Sequence, residues 1–396
     1  MIAASLLPLL LLALLYALAM AYGLQRRNTF IWLRGWLAQR REARAAARTV
    51  RGPRHVLFCF VDHYEPRWGQ ADYDTEVRRV RRWVEGYPRL CAGHCDADGR
   101  APQHTFFYPS EEYRPEHLDA VVGLCRAGYG EIEVHLHHDN DTPAGLRANL
   151  QEFIGRLQQR HDALPLDLAT GRPQWAFVHG NWALDNSRPD GRWCGVNDEL
   201  AILAELGCYA DFTLPSAPDA TQTSTVNGLY YATDDPHRPK SHDRGKPVRV
   251  GGAPSGHLMI LQGPLGLRWK LRGLLPVPAI ENGDVRAGNP PGAERVDFWI
   301  RQGIHVQGRP EWIFVKVHTH GTQERDIEAL LGEPVDTMFR HLEQNYNDGH
   351  GHCLHYVTAR EMYNIARAAE AGESGDPGRF RDYRIPRPGY RAGTEG

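Results

Sequence analysis

The chain has 396 residues with 46 basic against 48 acidic side chains, enough for one large domain with attachments. It has neither a basic domain nor an RNA-binding signature, which excludes the nucleic-acid-binding class. Its seven cysteines follow no framework spacing and form no Cys-x-x-Cys pair, which points to a reducing compartment.

Residues 2–24 are almost wholly apolar and uncharged, long enough to span a bilayer. Ala17-Leu-Ala19 offers a cleavage box, but no basic region precedes the run, so an uncleaved anchor is favoured over a signal peptide. Residues 25–54 carry nine arginines interleaved at first with Phe30, Ile31, Trp32 and Trp36. They read as an interfacial helix or as a solvated linker helix. The arginines after the anchor predict a single-pass membrane protein with its domain in the cytoplasm.

From His55 onward strand-like and helical runs alternate, which argues for an α/β domain over 55–371. Strands are expected at His55–Val61, His104–Tyr108, Glu131–Leu136, Trp175–Val178, Tyr209–Leu214, Trp312–His318 and Cys353–Val357. Helices are expected at Asp74–Gly86, Glu116–Ala127, Pro143–Arg160, Val196–Leu206 and Ala359–Ala371. Residues 215–295 are rich in Gly, Pro and Asp, and Leu258–Leu261 and Trp269 mark them as an ordered insertion. The Gly-, Pro- and Arg-rich segment 372–396 reads as a disordered tail.

Twenty histidines are the chain's most distinctive feature. Several stand where an apolar run ends: Asp62-His63-Tyr-Glu65, His135-Leu-His-His138-Asp139, His179-Gly-Asn181-Trp182 and His318-Thr-His320. The carboxyl edge of a parallel sheet is where active sites lie. Neutral imidazole and carboxylate suit zinc and other divalent ions, and a bend after Leu136 brings His135 towards His138 or Asp139. Asp62 suits a general base, a residue orienting a ligating His, or a turn. His318 suits an acid or a ligand. His179, Asn181, Trp182 and His320 offer the polar and aromatic wall of a sugar site or a structural turn.

Taken in order, these pieces resemble the polysaccharide deacetylase superfamily, the NodB-like metal-dependent carbohydrate deacetylases. Phe60-Val61-Asp62-His63 stands where that family has Thr-Phe-Asp-Asp, and His104-Thr-Phe-Phe107 where it has Ala-Thr-Phe-Phe. Gly130-Glu131-Ile132 through His135 to Asp139 stands for Gly-x-Glu-Ile-x-x-His-(Ser/Thr)-x-x-His. Phe177 to Trp182 falls at the Arg-Pro-Pro-Tyr-Gly strand end, and Val315 to His318 at the Leu-x-His strand. The chain departs from the family at its second Asp, which is His63 here, at its second His, which falls on Asp139, and at the missing Arg.

The resemblance implies a distorted (β/α) barrel of about seven strands behind an N-terminal transmembrane helix. It implies one divalent metal, zinc by preference, on His63, His135 and His138 or Asp139. Asp62 would be the base and His318 the acid in removing acetyl groups from a polysaccharide or lipid-linked sugar. Glycosidic cleavage in the same barrel, or an inactive polysaccharide-binding relative, are the alternatives.

Overall fold

A computed structural model describes residues 2–273 and 275–391, without the side chains of residues 2–7 and 9. Two helices come first, α1 (Ile2–Gln25) and α2 (Thr29–Ala47). The α/β body then runs β1 (Arg54–His63), α3 (Tyr73–Cys91), β2 (His104–Pro109), α4 (Pro115–Arg126), β3 (Gly130–Leu136), α5 (Pro143–His161), β4 (Trp175–His179), α6 (Glu199–Glu205) and β5 (Cys208–Asp211). It continues through β6 (Leu229–Ala232), β7 (Lys246–Pro247), β8 (Leu258–Leu261), β9 (Gly266–Arg272), β10 (Leu275–Glu281) and α7 (Ala293–Arg301). It closes with β11 (Trp312–Thr319), α8 (Glu324–Leu330), α9 (Glu333–Tyr346), β12 (His352–Val357) and α10 (Ala359–Glu370).

Helix starts follow local chemistry. Asp72 accepts from Thr75 N at 2.8 Å to open α3, and Thr142 with Pro143 opens α5. Thr358 and Glu361 form a reciprocal capping box on α10, satisfying amides that the first turn leaves free.

Ten strands form one sheet, in the order β11-β1-β2-β3-β4-β5-β8-β6-β7, with β12 beside the first half of β1. The pairings from β11 through β8 are parallel, and β6 and β7 add antiparallel edges. No ladder joins β8 to β11 among the described residues, so the sheet is not a closed barrel. One face packs against α3–α9, with Trp83, Leu118, Leu150, Leu200, Trp299 and Phe339 in that core. The other face is filled by α10, through Met362, Ile365 and Ala369, and by Phe212, Ile304 and Phe314.

Several expectations need correction. The described residues of 215–295 are ordered, but the segment is no insertion beside the sheet: β8 pairs with β5 as its next parallel strand. The segment 372–391 is not disordered. Arg381 bonds Asp96, Asp98 and Glu361, and Tyr390 is buried with its hydroxyl accepting from Ile132 N. A Gly- and Arg-rich composition hid these two anchoring side chains. Residues 392–396 of the expected tail lie outside the described residues. Helices α7, α8 and α9 were not anticipated.

The Arg-rich helix α2 is no free linker, since Trp32 and Trp36 pack with Ala217, Val226 and Leu265. Among the described residues no helix is long and apolar enough to cross a membrane. Of the anchor expected over residues 2–24, the side chains of residues 2–7 and 9 lie outside those described. Within α1, Leu10, Leu12 and Leu15 are exposed.

Candidate metal centre

Strand parity decides which polar ends meet. In β1, Phe58 and Phe60 enter the helix-side core, whereas Cys59 and Val61 enter the other. Asp62 therefore continues the helix-side series and His63 the opposite one. In β3, Ile132, Val134 and Leu136 face the helices, which turns His135 to the side of His63. In β11, Val315 and Val317 face the helices, which turns His318 the same way. The His63 and His135 rings lie 4.8 Å apart and the His63 and His318 rings 6.5 Å.

Glu65 folds back over this group. Its Oε1 lies 3.4 Å from His135 Nε2 and 3.2 Å from His137 Nε2. Ligand atoms of His63, Glu65 and His135 all fall within 4.8 Å of one another, and all three residues are buried. His135 Nδ1 stands 2.8 Å from the Val178 carbonyl, which only accepts, so Nδ1 carries the proton. Burial, outweighing the Glu65 contact, keeps His135 below the usual imidazole range. Its neutral ring therefore aims the Nε2 lone pair at the Glu65 carboxylate.

Burial also favours a neutral acid at Glu65, but the neighbouring His135 and His137 rings prevail and hold it well below the usual carboxylate range. Two lone-pair bearers facing each other leave a gap for a cation. His63 is likewise kept neutral, by burial first and then by His320 and His135. His63 Nδ1, Glu65 Oε2 and His318 Nδ1 are buried without hydrogen-bond partners among the described residues. Three such orphans in one place require an explanation. Two neutral imidazoles and a carboxylate match the donor set of a zinc-class ion.

A cavity of about 490 Å³ adjoins the group, lined among others by Trp68, Trp182, Asp284, Arg286, His318 and His320. His320 stacks on His63 with ring centres 4.6 Å apart. Trp68 and Trp182 flank it at 6.3 and 6.2 Å. Trp182 has a φ of 57°, a left-handed conformation that costs ~1–3 kcal/mol for a bulky residue and persists only where its surroundings hold it. On the other side of Glu65, burial works against protonation of His137, but its bonds to Glu111 and Glu65 prevail and raise it to about 10.

The other anticipated residues go elsewhere. Asp62 is fully buried on the helix side. Its Oδ2 accepts from His104 Nε2 at 3.0 Å and its Oδ1 from Gly321 N at 2.6 Å, so parity removes it from the position of a base. Asp139 is exposed and caps the loop by accepting from Trp193 N at 2.6 Å. His138 does not join His63 and His135, because it continues the helix-side series of Ile132, Val134 and Leu136. There it meets His179, with Nε2 atoms 2.9 Å apart, which takes His179 out of the expected sugar wall. Asn181 is half-buried and its N–H points to His179 Nδ1.

Sequence reasoning missed Glu65 as a partner of the two histidines and Trp68 as a wall. Their signal lay in the segment Asp62 to Trp68, where a His-x-Glu pair follows the most apolar early strand. No family model matches this sequence, and no curated protein is significantly similar to it.

Proposed function

We propose that the protein is a divalent-metal-dependent hydrolase, with zinc as the preferred ion, that removes acetyl groups from the sugar of a polysaccharide or lipid-linked saccharide. The observation that carries this reading is the buried set of His63, Glu65 and His135, with the His135 proton fixed on Nδ1, beside an aromatic-walled cavity. Three protein ligands with a side left open are the pattern of a catalytic rather than a structural site. The ion supplies Lewis acidity towards an acyl carbonyl and lowers the pKa of water.

The chain's own residues do the rest. His318 is kept neutral by burial, then by Lys316 and His320, and its free Nδ1 accepts the proton that water gives up and returns it to the leaving nitrogen or oxygen. His318 thus starts the cycle as a base, which replaces the role first read for Asp62. Trp68 and Trp182 offer flat faces to a sugar ring, and Arg286, paired with Asp284 at 2.8 Å, offers donors to its hydroxyls.

The finer architecture belongs to the same proposal. The seven strands from β11 to β8 read as an open, distorted (β/α) barrel, with Gly263 beyond β8 lying against the Lys316 carbonyl where the ladder stops. The exposed leucines of α1 and the exposed Trp269, Leu271 and Leu275 of the β9–β10 hairpin support attachment to a membrane. The arginines that follow α1 favour the cytoplasmic side for the domain.

The test is metal analysis of the full chain together with acetate release from acetylated oligosaccharides. We expect bound metal, acetate as product, and loss of both in His135→Ala. Protein without metal, or metal-loaded protein yielding reducing ends and no acetate, overturns the reading.

A further inference from the structure

A second cluster of ligand-type side chains lies on the opposite, helix-side face of the same strand ends. His138 follows β3, His179 ends β4, Cys194 sits in the loop after β4, and Glu199 opens α6. His179, Cys194 and Glu199 are fully buried, and the His138 side chain is 5 % exposed. Their ligand atoms all lie within 4.8 Å of one another. His138 Nε2 is 2.9 Å from His179 Nε2 and 3.2 Å from Glu199 Oε1, and Cys194 Sγ is 3.3 Å from Glu199 Oε2.

We infer that these four residues hold a second, zinc-class metal ion, distinct from the His63–Glu65–His135 set. A buried carboxylate needs a compensating cation, yet among the described residues no Lys or Arg pairs with Glu199, and only His138 and His179 do. Two imidazoles, a thiolate and a carboxylate are the donors zinc takes. The surroundings suit ligation. Cys194 Sγ accepts from the Asn186 and Val196 amides at 3.3 and 3.4 Å, bonds that stabilise a thiolate. His138 Nδ1 meets Asp141 Oδ2 at 3.1 Å, the outer carboxylate that orients a metal-bound imidazole. Two contacts oppose it: Cys194 Sγ–H reaches the Val196 carbonyl at 3.5 Å and Asn181 N–H reaches His179 Nδ1 at 3.3 Å, both near the outer limit of hydrogen bonding, and coordination requires the thiol to lose that proton and Nδ1 to give its contact up.

Four protein ligands and no open side make this a structural ion. Its work is visible in the chain it ties down. Residues 187–198 contain no helix or strand, and Trp182, Asp185, Asn186 and Trp193 around them all take left-handed φ values, 57°, 54°, 49° and 71°. Such backbone persists only when something over-determines it. A cross-link from Cys194 and Glu199 to the ends of β3 and β4 does so, and it fixes Trp182 at the wall of the candidate active site.

The competing arrangement is a hydrogen-bonded chain, His179 Nε2–H to His138 Nε2 and His138 Nδ1–H to Asp141. Cobalt separates the two, because only the second cluster contains a thiolate. Full-length protein produced with Co²⁺ is expected to bind two equivalents and to show a thiolate-to-cobalt charge-transfer band in the near ultraviolet. Cys194→Ser should lose that band and one equivalent, whereas His135→Ala should lose one equivalent and keep the band. A cobalt-loaded wild type without the band overturns the inference, as does a band that survives in Cys194→Ser. Because the wild-type spectrum alone decides, the test stands even where Cys194→Ser does not fold.

Discussion

Replacing Asp62 separates a structural carboxylate from a catalytic one. Asp62→Ala removes two buried hydrogen bonds, to His104 Nε2 at 3.0 Å and to Gly321 N at 2.6 Å. A hydrogen bond to a charged acceptor contributes ~1.5–3 kcal/mol, so the loss comes to about 3–6 kcal/mol. That is a large share of a typical folding stability of about 5–15 kcal/mol. Relaxation gives little back, because Gly321 is packed so closely on Asp62 and Trp83 that a Cβ there would collide with both. Asp62→Asn keeps an oxygen for Gly321 N–H and turns an N–H towards His104 Nε2, whose ring has Nδ1 free to carry its proton. Its cost is therefore smaller, about 1–2 kcal/mol. The assay is urea unfolding followed by tryptophan fluorescence, with metal content and acetate release measured on the same samples. We expect a lowered midpoint in the Asn variant, a far lower one in the Ala variant, and retained metal and most of the activity in the former. Acetate release falling by ~10²–10⁴-fold in Asp62→Asn, with midpoint and metal content unchanged, would make Asp62 the base and refute the assignment by strand face.

Glu65→Gln should leave the fold intact and weaken metal binding by at least ~10–100-fold; unchanged affinity in competition with a chelator removes Glu65 from the ligand set. His242 is fully buried with neither ring nitrogen partnered among the described residues, and burial, then Lys240, lowers its pKa to about 4. The unfolded chain therefore binds the proton that the folded one refuses: stability is intact above pH ~6.5 and falls by about 3 kcal/mol as the pH drops towards 4. His242→Leu should flatten that acid slope, and an identical slope in the variant contradicts the argument. Truncation after Gly372 strips Arg381 from Asp96 and Glu361, which lie 3.1 and 3.3 Å from it, leaving buried carboxylates short of a partner at ~3–5 kcal/mol. A truncated protein that melts with the full chain would show the tail to be dispensable.

The alternation of strands and helices, and the polar residues at the ends of the apolar strands, were legible in the amino-acid order. Both depend on periodicities of two and 3.6 that the chain carries locally. So were His63 and His135 as neighbours, because parallel strands bring their carboxyl ends to one edge whatever the details of packing. The helices α8 and α9 escaped notice although Met338, Phe339 and Leu342 carry helical spacing. Which face each polar end would take was not legible at all. A single residue of parity sends Asp62 to Trp83 and His63 to His135. The same parity sends His138 away from His135 to join Cys194 and Glu199, which lie far along the chain and come near only through the packing of α6. Glu65 returns to the histidines through a turn, and Arg381 finds its carboxylates beside Tyr356 of β12, whose carbonyl it also bonds. Residue type and period fix which groups reach the edge of the sheet. Burial and the path of the loops, which depend on the whole core at once, decide which of them touch.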